Sequence, residues 1–232
     1  MVNKDSFLDY EGYAKWKRGL NDWGDFLALT TLESKEIALQ LKVSGINLKN
    51  SRVLELGFGS GKILKYLLNM GCDVDGVEIQ EEMLEIAKKN GIKAYKNILQ
   101  TDGRYDVILG FDVLEHMSTL QLKEFFEQAS TRLTKGGKMI FRFPNADSYA
   151  GLAAQNGDFT HISSIGFLKL KQLIEPYGLI LESFSGRVDF PVRKIRNLIL
   201  KILRWPFVRI IGFGCPYFFS GSVVAVIKHK EP

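Results

Sequence analysis

The stretch FDVLEHM, residues 111–117, sets Asp112, Glu115 and His116 within five positions, and a second histidine, His161, follows in DFTHIS. Carboxylates together with imidazole can hold a hard divalent cation such as Mg²⁺ or Mn²⁺ and leave coordination positions open for a substrate's oxygens. The same groups can also work without metal. Histidine titrates near neutral pH, so His116 or His161 can take a proton from a hydroxyl, with Glu115 beside it. Both chemistries stay open here, next to a plainer reading in which Glu115 caps a helix and His161 lies on the surface. Each requires the groups to be held in one place, and that depends on the elements around them.

FDVLEHM follows directly on the apolar run YDVILG, which reads as a buried strand. Four further runs read the same way: RVLEL (52–56), DVDGV (73–77), IKAY (92–95) and KMIFRF (138–143). Between them KILKYLLNM, EEMLEIAKKN and LQLKEFFEQASTRL carry apolar residues three and four apart, the spacing of a helix face. Gly71, Gly91 and the pair Gly136–Gly137 stand where those helices should stop. Ser163–Ser164 reads as the N-cap of a later helix. Near the end GLILESFSGRVDF and SGSVVAVIKHK read as two more strands, and residues 1–50 form an N-terminal region that is helical around 32–41. Strands and helices in alternation predict a parallel sheet covered on both faces. In such sheets ligands bind beyond the carboxyl ends of the strands, which is where FDVLEHM falls.

VLELGFGSGKILKYL places Gly57, Gly59 and Gly61 between a strand and a helix, a position suited to a ligand approaching the backbone at a helix N-terminus. A phosphate-binding P-loop is excluded, because Ile63 follows Lys62 and Leu56 stands at the early glycine position. The dinucleotide fingerprint asks for glycine where Lys62 stands. About 20 residues on, VDGVEIQ ends a second strand with Glu78, the offset at which a carboxylate meets ribose hydroxyls.

The E-x-G-x-G-x-G pattern of Glu55 to Gly61, with Glu78, resembles the class I S-adenosylmethionine-dependent methyltransferases, a likeness that covers about residues 32–177 and the closing strand. The resemblance implies an α/β, Rossmann-like, doubly wound seven-stranded sheet, mostly parallel with an antiparallel last strand. It implies S-adenosyl-L-methionine as cofactor, with Glu55, Gly57, Phe58, Gly59 and Gly61 at its methionine end, and Glu78 on the ribose. Ile79, Asn97 and Ile98 would border the adenine, and Phe111 and Asp112 would lie under the sulfonium. The D-x-x-E-H…H arrangement is similar to the E-x-x-E-H segments of RNA 3′-terminal 2′-O-methyltransferases and of ubiquinone-pathway O-methyltransferases, where acids and histidines hold a divalent cation. Asp112, Glu115, His116 and His161 would be the ligands here, with Asp112 one methylene shorter than the family's glutamate.

The totals bound the partners. The chain has 232 residues, 46% hydrophobic and 25% charged, with a formal net charge of +5 and two cysteines without motif spacing. That composition predicts one reduced, cytoplasmic domain without a signal peptide or membrane span. Residues 191–220 form a basic, apolar insert. Within it 193–205 sorts Arg193, Lys194, Arg196, Asn197, Lys201 and Arg204 to one side of a helix and Ile195, Leu198, Ile199, Ile202, Leu203 and Trp205 to the other, with Leu200 astray. Such a helix suits peripheral membrane contact, a subunit or the substrate cleft. Nucleic acid is disfavoured, since no aromatic–basic platform accompanies it. The aromatic residues Tyr10, Tyr13, Trp16 and Trp23 suit a lid. The general layout resembles methyltransferases of bacterial surface-polysaccharide biosynthesis, which implies O-methylation of a glycan or small polyol. A quinone or lipid-like acceptor, an RNA 2′-hydroxyl and a non-catalytic cofactor binder are the alternatives.

Overall fold

Every residue of the apolar middle of Arg52–Leu56 (β1) and of Tyr105–Phe111 (β4) is buried apart from Asp106, so helices must cover both faces of these strands. The computed structural model describes residues 26–186 and 220–231. The sheet contains seven strands in the order β3-β2-β1-β4-β5-β7-β6. The others are β2 (Asp73–Val77), β3 (Lys93–Tyr95), β5 (Leu133–Pro144), β6 (Leu179–Gly186) and β7 (Ser222–His229). Strand β7 runs antiparallel to both β5 and β6, and the remaining pairs are parallel. The sheet reverses its winding between β1 and β4, so the crevice at their carboxyl ends is the place for a ligand.

One face is packed by α1 (Thr31–Lys42), α2 (Lys62–Asn69) and α3 (Glu81–Lys89), through Leu41, Leu64, Leu67, Met83 and Leu84. The other is packed by α4 (Thr119–Arg132) and α6 (Phe167–Ile174), where Phe125, Phe126 and Phe141 meet edge to face at 5.2–5.8 Å. Helix α1 carries a capping box between Thr30 and Glu33, and Glu33 reaches Lys62 at 2.5 Å. The Lys62 hydrogen bond and then those from Thr30 lower the Glu33 carboxyl to about 2. This joins α1 to the start of α2.

Gly71 and Gly91 do end α2 and α3, both with left-handed backbones (φ +79° and +77°). The glycine pair 136–137 does something else. It lies inside β5, which starts at Leu133 instead of Lys138, at a register shift between Tyr105 and Val107 of β4. A Cβ on Gly137 would come within 3.0 Å of the Asp106 carbonyl, so the close strand approach needs glycine there. The N-cap expected at Ser163–Ser164 is also displaced. Helix α6 starts at Phe167, and its first amide is capped by the Asp147 carboxylate at 2.6 Å, 20 residues away in the chain. Helix α5 (Tyr149–Asn156), capped by Ser148, was not foreseen; its apolar residues show little of the helical alternation. Residues 187–219 and the N-terminal aromatics Tyr10, Tyr13, Trp16 and Trp23 lie outside the described residues. Among the described residues no helix is long and apolar enough to cross a membrane.

A polar link crosses the floor of the sheet. Asp75, 1% exposed in the middle of β2, accepts hydrogen bonds from the Tyr105 hydroxyl at 2.7 Å and from Arg52 at 3.2 Å. Burial and then the Asp75 carboxylate push the Tyr105 phenol well above its ordinary range, so it stays a donor. Tyr105→Phe removes one donor from a buried carboxylate and should cost about 1–3 kcal/mol. Urea unfolding should show a lower midpoint with an unchanged slope; an unchanged midpoint contradicts the link.

Candidate active site

The chain leaves β1 through three residues in left-handed conformations: Gly57, Gly59 and Gly61, with φ of +66°, +49° and +76°. Side chains at such backbone angles are strained, which explains glycine at alternate positions. The Gly57 amide donates to the Val77 carbonyl of β2 at 2.7 Å, and the Gly61 amide closes a turn on Phe58 at 2.8 Å. Between them the Phe58 ring is buried against Gly76 of β2. A Cβ on Gly76 would come within 2.6 Å of that ring, so Gly76 makes room for the loop's floor. A Cβ on Gly59, by contrast, would meet nothing within 4 Å. The loop therefore opens outward at Gly59, ahead of the N-terminus of α2.

Glu78 fixes this opening. It is 5% exposed, and its Oε2 accepts from the Gly59 amide at 3.0 Å. Its Oε1 accepts from the amides of Ile79 and Gln80 at 2.8 and 3.1 Å. One carboxylate thus ties the end of β2 to the glycine loop. Glu55 sits behind it, 2% exposed, and its Oε2 has no hydrogen-bond partner among the described residues. Burial, and then the nearby Glu78 charge, push the Glu55 carboxyl well above its usual range, against an amide of Leu64. A buried acid in that state is suited to a ligand that brings a cationic donor. The amino-acid end of S-adenosylmethionine carries such a donor.

The rim follows the expected positions unevenly. Ile79 is 55% exposed beside Glu78. Asn97 caps a 3-10 turn, Ile98–Gln100, by accepting from the Gln100 amide at 3.3 Å. Ile98 itself is buried in the core beneath. Phe26 meets Phe58 edge-on at 6.3 Å, and the Leu27 amide donates to the Ser60 carbonyl at 3.0 Å. The described end of the N-terminal region therefore rests on the loop, although no acid or base there was anticipated.

At the end of β4 the chain turns sharply. Asp112 takes φ +57°, rare for a residue with a side chain, and its carboxylate is held by Arg142 of β5 through both Nε and Nη2. The same guanidinium stacks on the Phe111 ring, 4.7 Å from its centre. Glu115, His116 and His161 come together just beyond, with potential ligand atoms all within 4.8 Å of one another. Asp112 is not in that group, because a guanidinium from the adjacent strand occupies it. The four-residue cation cage expected from the sequence is reduced to three.

The cluster is assembled by backbone bonds. Glu115, 1% exposed on the 3-10 turn Leu114–His116, accepts at its carbonyl from the amides of Ile162 and Ser163 at 2.9 and 3.0 Å. That pins DFTHIS against the turn, with the two imidazoles edge to face at 4.7 Å. His161 Nε2 lies 3.6 Å from Asp158 and 3.9 Å from Glu115, beyond ordinary hydrogen-bond reach. His116 Nδ1 lies 2.9 Å from the Thr160 hydroxyl. Asp158 and Thr160 were missed in the sequence. Their only signal is the D-x-T spacing just before His161, which serves turns in many loops. Phe159 and Ile162, on either side of Thr160 and His161, are 57% and 60% exposed.

Comparison with known proteins gives the fold and the family. A ubiquinone biosynthesis O-methyltransferase of Colwellia psychrerythraea is 29% identical over 80% of this chain and 86% of its own length. Another, of Pelagibacter ubique, is 28% identical over 44% of this chain and 45% of its own length. The crystal structure of a magnesium protoporphyrin IX methyltransferase from Synechocystis, with bound SAH, superposes with a TM-score of 0.61 at 15% identity, covering 98% of each chain. Its sheet supports the same fold. A family model described as a methyltransferase domain matches residues 30–183. The chain belongs to that methyltransferase family and is a class I S-adenosylmethionine-dependent methyltransferase.

Proposed function

We propose that the protein methylates a hydroxyl of an aromatic or lipid-like compound of the quinone-precursor type, with His116 as general base. The observation that carries this reading is the pairing of His116 and His161 over the buried Glu115, at the carboxyl end of β4. The exposed Phe159 and Ile162 offer apolar surface beside that pair, which suits a planar or alkyl acceptor better than a polyol. The ubiquinone-pathway relatives favour the same acceptor over the glycan hydroxyl suggested by the sequence layout.

S-adenosylmethionine supplies, when bound, an activated methyl group on a sulfonium. The Gly57–Gly61 backbone would hold its methionine end, where Glu55 would receive the amino group, and Glu78 would hold the ribose. Phe111, kept in place by Arg142, would give the methyl end a planar wall. His116 would take the acceptor's hydroxyl proton, freeing the oxygen for the methyl group that the donor would supply as its sulfur leaves with the bond's electron pair. Alignment supplies much of the rate in such a displacement. A second reading is favoured by the ligand-like grouping of Glu115, His116 and His161: a divalent cation held by these three would lower the acceptor hydroxyl's pKa.

Gly59→Arg should fold, since its Cβ meets open space and the strained φ costs about 1–2 kcal/mol. It should weaken S-adenosylmethionine binding by at least about 100-fold, or about 2.8 kcal/mol. Unchanged calorimetric affinity contradicts the assignment.

Glu55 gives a pH signature. An ammonium favours the carboxylate, so donor binding should release a proton and tighten as pH rises toward the raised Glu55 pKa. With a raised folded-state pKa, the stability Glu55 contributes is full below the ordinary carboxylate range and is lost as pH rises through the raised value. Glu55→Gln should therefore be more stable than the parent at alkaline pH, yet bind the donor about 10-fold more weakly without proton release. Proton release that persists in Glu55→Gln, read by calorimetry in buffers of different ionisation enthalpy, counts against it.

Turnover should survive a chelator if His116 works alone. Loss in chelator with recovery in Mg²⁺ or Mn²⁺ would instead establish the cation reading.

A further inference from the structure

We infer that Asp158 and Thr160 set the tautomer of His116, holding the ring proton on Nδ1 and leaving the lone pair on Nε2. The inference rests on His116 being the group that accepts the acceptor's proton, and it adds two positioning residues to that reaction.

The Thr160 hydroxyl has one hydrogen to give. Asp158 Oδ1 lies 2.6 Å from that oxygen, and the Thr160 amide donates to the same carboxylate oxygen at 3.1 Å. A carboxylate only accepts, so the hydroxyl proton points at Asp158. The hydroxyl oxygen can then only accept toward His116 Nδ1, 2.9 Å away. The Thr160 carbonyl, 3.2 Å from the same Nδ1, is an acceptor as well. Two acceptors facing one ring nitrogen require an N–H between them. The opposite tautomer would set the Nδ1 lone pair against a carbonyl oxygen and force the hydroxyl proton away from its carboxylate.

The tautomer decides what the ring can do. With Nδ1 protonated, Nε2 is the only atom of His116 able to take a proton, and its direction is fixed by the Nδ1 contacts. When Nε2 is protonated, the resulting imidazolium keeps its Nδ1–H on Thr160, whose hydroxyl leads on to the Asp158 carboxylate. Among the described residues, the further charged or titratable neighbours are Glu115, on the same turn, and His161, whose ring meets His116 edge to face at 4.7 Å. Asp158 also lies 3.6 Å from His161, so one acid serves both rings. The chain segment that carries these residues is held by the hydrogen bonds that the Ile162 and Ser163 amides donate to the Glu115 carbonyl.

The test is ¹⁵N NMR of histidine-labelled protein together with steady-state kinetics. In the parent protein, neutral His116 should show a protonated Nδ1 and an unprotonated Nε2. Thr160→Val keeps the shape but removes the hydroxyl; it should shift His116 toward Nε2–H and lower kcat about 10- to 100-fold, with KM and donor affinity little changed. Thr160→Ser should restore both the tautomer and kcat. An Nε2–H tautomer in the parent protein overturns the inference at once, whatever the variants do. If His116→Ala is inactive while Thr160→Val keeps parental tautomer and kcat, the inference fails and the base assignment stands. If His116→Ala keeps full turnover, the base assignment fails and the inference falls with it.

Discussion

One carboxylate joins the two strand ends on which the donor site depends. Glu78 accepts from the amide of Gly59 across the loop and from the amides of Ile79 and Gln80 beside it. A carboxylate offers about four acceptor sites, so three backbone donors use most of them and hold its orientation. Backbone bonds from Gly57 to Val77, from Gly61 to Phe58 and from Leu27 to Ser60 hold the rest of the loop. Its left-handed turns are tolerated only because the residues are glycine, and its single inward side chain, Phe58, is seated by the bare backbone of Gly76. Glu78 thus stabilises an arrangement with poor intrinsic preference, and presents the same oxygens that a ribose diol would use.

The reacting end is built by different means. Here the sheet supplies the fixed points: Arg142 on β5 holds Asp112, and the Glu115 carbonyl holds the DFTHIS segment. Asp112 in a left-handed conformation is local strain, kept by a bidentate guanidinium contact and by its amide's bond to the Arg142 carbonyl. That turn lets the chain leave β4 and drop Glu115 into the interior while His116 stays at the edge. The buried acids Glu55 and Glu115 are what an apolar core would avoid, and both flank the crevice at the switch point. Stability has been given up at these two places, where a ligand's charge or a proton can be used.

Much of this was legible in the residues. Strands β1, β2 and β4 fall where continuous apolar runs place them, and Gly71 and Gly91 end helices as left-handed C-cap residues do. The spacing of Glu55, the glycines and Glu78 identifies the loop, because backbone geometry restricts those positions to glycine. What escaped depended on contacts distant in sequence. Asp147 caps a helix that starts 20 residues later, so the nearer serines misled. Arg142 takes Asp112 out of the histidine cluster, although D-x-x-E-H reads as one unit along the chain. Gly136 and Gly137 resemble a helix stop, yet serve a strand irregularity where two backbones approach. Asp158 and Thr160 acquire their meaning only once His116 is folded against them.

The central claim is that the Gly57–Gly61 bend and Glu78 cradle the methyl donor with Glu55 behind it. The most direct measurement is a crystal structure of the protein with S-adenosylhomocysteine. A ribose hydroxyl on the Glu78 carboxylate, with the amino group within hydrogen-bond distance of Glu55, is the expected result. A ligand bound elsewhere, with Glu78 still held only by the amides of Gly59, Ile79 and Gln80, would contradict it.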